Sequence, residues 1–218
     1  TEVFEKEYDQ KLLGLHGWDN YHLGTTDPWD TVEDLKGVKI GGAGPNLPWL
    51  EYAGAVPVQS TLPDGYLSLS TGVYNGWLMF PSAYLGFKFY EPAPNYTLIG
   101  FGAMGVNGLT INSKSYAKLP EDVQKIITEV GRGYEAQSGI SNNARQKSGL
   151  EGLEKAGANI KRLGPEARAG WAKSLAEFPK RQADDADGRG MPGTAVMKSY
   201  IEAVDATGYE WPFTYSLE

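Results

Sequence analysis

Residues 33–58 read EDLKGVKIGGAGPNLPWLEYAGAVPV, and this stretch decides the fold class. Residues 38–40 are rich in β-branched side chains and predict a strand, which the following glycines interrupt as a loop. Residues 47–52 predict a helix, which Gly54 ends before a second short strand at 56–58. Short strands alternating with helices are typical of sheets covered by helices, so we predict an α/β fold.

The clearest helix begins at Pro120, which stands in the first turn beside Glu121 and Asp122. Proline loses no hydrogen bond there, and acidic groups suit the positive end of the helix dipole. The helical spacing that follows predicts one buried face, formed by Val123, Ile126, Ile127, Val130 and Tyr134.

Two more helices are expected towards the end of the chain. One begins at Pro165 and is expected to bury Trp171, Leu175 and Phe178. The polar, glycine-rich residues 182–193 predict a mobile loop. A last helix is expected to begin at Thr194 and to bury Val196, Met197, Tyr200, Ile201 and Val204.

Composition and charge exclude several classes of protein. The 218 residues carry a net charge of −7, which gives no electrostatic reason for binding nucleic acid or an anionic membrane. The apolar stretches are shorter than a membrane helix needs, so we expect no direct membrane insertion. The chain has no cysteine, which excludes disulfides, thiolate metal sites and cysteine nucleophiles.

The residues that could carry chemistry form no recognised catalytic or metal-binding pattern. The glycine loop fails as a dinucleotide site because Leu47 replaces its third glycine and Pro45 removes a backbone donor. The spacing of His16 and His22 matches no metal signature, although either could donate a hydrogen bond to a ligand. The acidic stretch 185–188 lacks the distant glutamate of a calcium loop. We therefore predict no catalytic residue, no metal and no cofactor.

Aromatic side chains are concentrated between residues 77 and 90. For Trp77, Phe80 and Tyr84, packing in the core and contact with a ligand both stay open, because such residues dominate cores and pockets alike. The loop residues Asn46 and Asn107 fit either a turn or a hydrogen bond to a ligand.

A collinear series of motifs resembles one known family. The motifs are EDLKGVKI at 33–40, AGAVPV at 53–58, STGVYNG at 70–76, KFYE at 88–91, LTINSK at 109–114, LPEDVQK at 119–125, GMPG at 190–193 and ATGYE at 206–210. Their order and approximate spacing are similar to those of the extracytoplasmic solute-binding proteins of TRAP transporters, the DctP family.

This resemblance implies a two-lobed α/β fold, type II-like and of the TRAP class, with crossing hinge strands and a long helix. Family members carry a further stretch before the position of Thr1, so we expect the first lobe to be incomplete. Residues 1–17 and 105–145 are then expected to form part of lobe one and the connecting helix. Residues 18–104 and 146–218 are expected to form lobe two with the C-terminal helices.

The resemblance also implies a function. The protein is expected to be periplasmic, to capture a small organic solute in the cleft between the lobes, and to deliver it to the TRAP permease subunits in the membrane, without catalysis. The ligands of family members are mostly organic acids, and an arginine that pairs with the acid usually stands where this chain has Gly41. The solute is therefore expected to be either an organic acid or, without that arginine, an aromatic or neutral metabolite. Mapping by position, the expected cleft residues are Trp18, Tyr21, His22, Gly41, Gly42, Asn46, Leu62, Tyr66, Trp77, Phe80, Tyr84 and Asn107.

Two alternatives stay open at this point. The first is an α/β enzyme that acts on a small aromatic or acidic metabolite, because the aromatic cluster is typical of a pocket. The second is a ligand-free remnant or regulatory module, in which Trp77 and Phe80 would pack against each other in a collapsed cleft.

Overall fold

The computed structural model describes residues 2–100, 102 and 106–217. The strands in this part of the chain are β1 (Gln10–Gly17), β2 (His22–Thr25), β3 (Lys39–Gly42), β4 (Val56–Gln59), β5 (Gly76–Met79), β6 (Asn95–Leu98), β7 (Val106–Asn112) and β8 (Asn159–Arg162). The helices are α1 (Glu2–Tyr8), α2 (Leu47–Tyr52), α3 (Leu62–Ser70), α4 (Pro81–Gly86), α5 (Ser113–Ala117), α6 (Glu121–Lys155), α7 (Pro165–Ser174), α8 (Phe178–Gly188) and α9 (Gly193–Asp205). Short 3-10 helices occur at Val32–Leu35 and Gly44–Asn46.

The strands form two separate sheets. The larger is six-stranded in the order β4-β3-β5-β2-β6-β8, and β2 runs antiparallel to both of its neighbours. The smaller pairs β1 with β7 antiparallel, with a register shift between Leu12 and Gly14. Strand, helix and strand over residues 39–59 follow the sequence prediction, because β3 and β4 pair in parallel around α2. The predicted α/β class is confirmed.

Each face of the six-stranded sheet carries its own hydrophobic core. Successive residues of β5 alternate between the two, since side chains of a strand point to opposite faces. Leu78 belongs to the first core, which includes Trp171. Trp77 and Met79 belong to the second core.

The long helix α6 joins the two sheets, but it does not bury the face that the sequence predicted. Ile126 is 56% exposed and Val130 is 64% exposed in the described chain. The buried residues are instead Gly131, Ser138, Asn142, Gly149 and Leu153, at steps of seven, four, seven and four residues. The two glycines of this stripe let the backbones approach closely. A side chain on Gly131 would collide with the Leu13 carbonyl of β1, and one on Gly149 with the backbone of Ser82.

The C-terminal region differs from the prediction in two ways. Residues 182–188 are helical rather than a loop, because ion pairs join Lys180 to Asp184 and Arg189 to Asp185 one turn apart, and Ala183 is buried. In α9, Val196 and Tyr200 are exposed instead of buried.

The predicted boundary between residues 104 and 105 lies outside the described residues. Among the helices that the structure describes, none combines the length and the apolar content that crossing a membrane requires.

Candidate functional site

A row of six ring side chains crosses the junction between the two sheets. Its members, called the aromatic row below, are Tyr134, His16, Trp18, Phe80, Tyr21 and Trp49. The rings of Trp18 and Phe80 are stacked with centroids 5.8 Å apart, and Tyr21 meets the edge of Phe80 at 5.5 Å. All three are half-buried, so they combine packing with exposed surface. Such a row provides apolar faces against which a ring-shaped or aliphatic solute can lie.

Four of the predicted cleft residues contact or neighbour one another here. Trp18 and Tyr21 lie in the segment that connects β1 to β2, and Phe80 lies between β5 and α4. Asn46 is buried at the start of α2, where its side chain contacts Tyr21. Burial raises the pKa of the Tyr21 hydroxyl, and the hydrogen bond with Asn46 opposes this effect. Phe80 pairs with Trp18 and Tyr21, and no ring pair joins it to Trp77 among the described residues.

The other predicted residues are not members of the aromatic row. Trp77 and Tyr84 are fully buried in the second core, and the Tyr84 hydroxyl donates to the Ala93 carbonyl at 2.7 Å. Their burial favours packing, one of the two roles that the sequence left open. Tyr66 is exposed on α3, where its hydroxyl donates to Glu91, and Leu62 packs against the second core. Asn107 lies opposite His16 in the two-stranded sheet.

Gly41 and Gly42 lie buried at the end of β3. A Cβ atom on Gly41 would lie 2.5 Å from the Trp77 ring and 2.9 Å from the Tyr74 ring. The space where an arginine side chain would begin is therefore filled by the second core. A Cβ on Gly42 would meet only the flexible ends of Leu47 and Leu50.

Polar groups that the sequence did not indicate lie close to Trp18 in the chain or contact its neighbours. Asn142 of α6 donates to the Gly17 carbonyl, and Gln146 accepts from both the backbone and the side chain of Asn20 at 3.2 Å. Asp19 is buried, and one of its carboxylate oxygens has no hydrogen-bond partner in the described structure. Burial raises the pKa of the Asp19 carboxyl, and the opposing effect of the nearby Arg145 charge is smaller. The available signal was the spacing of four residues between the polar positions Ser138, Asn142 and Gln146 of α6.

Metal binding finds no support in the described residues, because no three carboxylate or imidazole side chains there lie close enough to share an ion.

His22 is buried against Tyr96, and its Nδ1 accepts a hydrogen bond from the Gly100 N–H at 3.3 Å. Burial, assisted by the charge of Arg162, lowers the pKa of His22 to about 4.

We expect His22 to make the stability of the protein depend on pH. In the unfolded chain its pKa is about 6.5, so the unfolded state binds the proton first as the pH falls. The stabilisation is complete above pH 6.5, and about 3 kcal/mol is lost as the pH approaches 4. Denaturant unfolding at several pH values measures this loss. His22→Gln should flatten the curve between pH 6.5 and 4, and an unchanged slope in this variant would contradict the assignment.

A groove of about 160 Å³ adjoins the other end of the row and shares Trp49 with it. Its walls are mostly apolar and come from α7, α8, α9 and residues 209–215. Arg168 borders this groove, but its guanidinium is occupied by the carbonyls of Ile99 and Gly100 and the hydroxyl of Tyr209.

Comparison with solved structures shows a shared fold. The chain matches a TRAP periplasmic solute-binding protein of Pseudomonas putida F1, solved with bound D-glucuronate, with a TM-score of 0.78 and 18% identity over 96% of this chain and 64% of that one. A TRAP periplasmic solute-binding protein of Desulfovibrio salexigens, solved with bound orotic acid, matches with a TM-score of 0.78 and 23% identity over 91% of this chain and 63% of that one. These likenesses support the predicted two-lobed fold class.

Comparison with known sequences agrees with the fold. A solute-binding protein of Sulfitobacter sp. (strain NAS-14.1) is 30% identical over 132 residues, which are 60% of this chain and 39% of that protein. The chain thus spans about two fifths of this relative and less than two thirds of the two solved structures. The family model of bacterial extracellular solute-binding proteins, family 7, matches residues 2–185. The chain therefore belongs to the DctP family of bacterial extracellular solute-binding proteins.

Proposed function

We propose that this chain captures a small organic solute against the aromatic row and acts in a periplasmic solute-binding protein that supplies a TRAP permease. The observation that carries this proposal is the half-buried row itself, placed where the two sheets meet, in a chain of a solute-binding family. Half-buried rings beside buried amides are typical of ligand sites. The family does not favour the enzyme alternative, and we propose no catalytic step.

The proposed lobe assignment follows the predicted boundaries. Residues 1–17 and 105–145 belong to lobe one and the connecting helix, and residues 18–104 and 146–218 belong to lobe two. This division is supported by the two separate sheets, of which β1 and β7 form the smaller. The solute is proposed to lie between the sheets, and closure around it would stabilise the bound form.

Calorimetric titration with a panel of small organic acids, sugars and neutral ring compounds tests the function. A solute at one hundred times its Kd should stabilise the protein by about 2.7 kcal/mol, which a thermal melt detects. The same solutes should be recovered unchanged after incubation, as mass spectrometry can show. Lack of binding across the whole panel would overturn the proposal.

Phe80→Ala is expected to weaken solute binding about tenfold, because it removes the central ring of the aromatic row. Trp18→Ala should have a similar effect, since Trp18 stacks on Phe80. Calorimetry on the folded variants measures both. Phe87→Ala is the matched control, because Phe87 is exposed and pairs with Phe89 outside the row. Equal losses in Phe80→Ala and Phe87→Ala would place the solute elsewhere.

A further inference from the structure

We infer that Arg145, on the long helix α6, is the cationic anchor for an acidic group of the solute. The inference rests on the proposed capture function and names the chemistry at one end of the same site. The solute would then be a ring-shaped molecule that carries a carboxylate, with its ring against Trp18 and Phe80.

Two amide side chains of α6, Asn142 and Gln146, fix the helix near Arg145 to residues 17 and 20. Its guanidinium donates to the Asn142 side-chain oxygen, and the Asn142 amide donates to the Gly17 carbonyl. The next residue, Gln146, accepts two hydrogen bonds from Asn20. Gly17 and Asn20 lie on either side of Trp18 along the chain, so these contacts place Arg145 near this part of the aromatic row.

The charge of Arg145 has no bonded counter-ion in the described chain. A guanidinium has five N–H donors, and the hydrogen bond to Asn142 uses one of them. No carboxylate among the described residues lies within ion-pair distance of Arg145, which is solvent-exposed. An exposed guanidinium with free donors is suited to bidentate binding of a carboxylate.

Asp19 complements this anchor. Its carboxylate is close enough to Arg145 to be affected by the charge, and one oxygen accepts from Ser82 at 3.4 Å. The other oxygen is buried without a hydrogen-bond partner in the described structure. A hydroxyl or N–H on the solute would satisfy it, since a buried unpaired acceptor is costly. The two groups together fit a solute that carries an acid and a neighbouring donor.

Packing excludes an arginine at position 41 as the alternative anchor. Gly41 lies against Trp77 and Tyr74, which leave no room for a side chain there. The cation is therefore supplied by α6 instead of β3.

The test compares acids with their uncharged counterparts on the 218-residue chain and its variants. D-glucuronate is paired with D-glucose, and orotate with uracil, in calorimetric titrations. We expect the chain to bind at least one acid more tightly than its counterpart by tenfold or more. Arg145→Gln should weaken binding of that acid by about tenfold to a hundredfold and change binding of the neutral counterpart less than about twofold. Arg145→Lys should recover part of the loss.

Lys147→Gln is the matched control, because it removes one positive charge from an exposed position two residues away on α6. It should leave both affinities unchanged. If acids bind and Arg145→Gln keeps the preference for them, or if only neutral solutes bind, the assignment of Arg145 is overturned and the capture function stands. If no solute of the broader panel binds, both are overturned.

Discussion

Gly41→Arg is expected to destabilise the protein by about 4 kcal/mol and to lower its melting temperature by roughly 10 °C. The new side chain would begin 2.5 Å from the Trp77 ring and would place a charge against the second core. Overpacking and an unpaired buried charge are each destabilising. Denaturant unfolding with thermal melts measures the change. The packing of Trp77 and Tyr74 therefore opposes any large side chain at position 41.

Two alanine variants make this prediction specific. Gly41→Ala should be clearly destabilising, because its Cβ alone meets two buried rings. Gly42→Ala should cost less than Gly41→Ala, because its Cβ would meet only Leu47 and Leu50, whose ends can move. If the two alanine variants are equally stable, the packing explanation fails.

Trp77→Ala is expected to destabilise the protein by about 4 kcal/mol, comparable to Gly41→Arg, because it empties the centre of the second core. Trp77 is fully buried and pairs with the rings of Tyr74 and Phe89 at 5.5 and 5.2 Å. Its indole N–H has no partner in the described structure, so Trp77→Phe should cost much less than Trp77→Ala. Equilibrium unfolding of the three proteins measures this order.

Solute affinity separates the packing role of Trp77 from a binding role. Trp77→Phe should keep the affinity of the parent chain within about twofold, whereas Phe80→Ala loses about tenfold. A loss of affinity in Trp77→Phe as large as that in Phe80→Ala would indicate that Trp77 contacts the solute. The double variant Gly41→Arg with Trp77→Ala should be less destabilised than the sum of the single changes, because the emptied space admits the new side chain.

Much of the fold was predictable because its signals are local. Proline at the start of α6 and α7, and the glycine that ends α2, act through their own backbone geometry and need no distant partner. The segment 182–193 was mispredicted for the opposite reason. Its polar composition indicates a loop, but ion pairs along the helix and the burial of Ala183 beneath α9 make residues 182–188 helical.

The buried face of α6 shows where local patterns mislead. The apolar side chains of Ile126 and Val130 predicted a buried stripe, yet the helix packs through Gly131 and Gly149. Close approach of two backbones depends on what lies opposite, which periodicity of hydrophobic residues does not report. The same packing brings Asn142 and Arg145 to the segment 17–20.

The sequence by itself determined the family, the α/β class and the aromatic character of the candidate site, because motif order and residue type are properties of the chain alone. Only the tertiary structure decided which aromatic rings are buried and which stay partly exposed. Trp77 and Phe80 are three residues apart, but strand alternation and the end of β5 bury the first and leave the second half-exposed. It also decided that position 41 has no room for a side chain and that Arg145 lies close enough to Asp19 to affect its charge, since both depend on residues far apart in the chain.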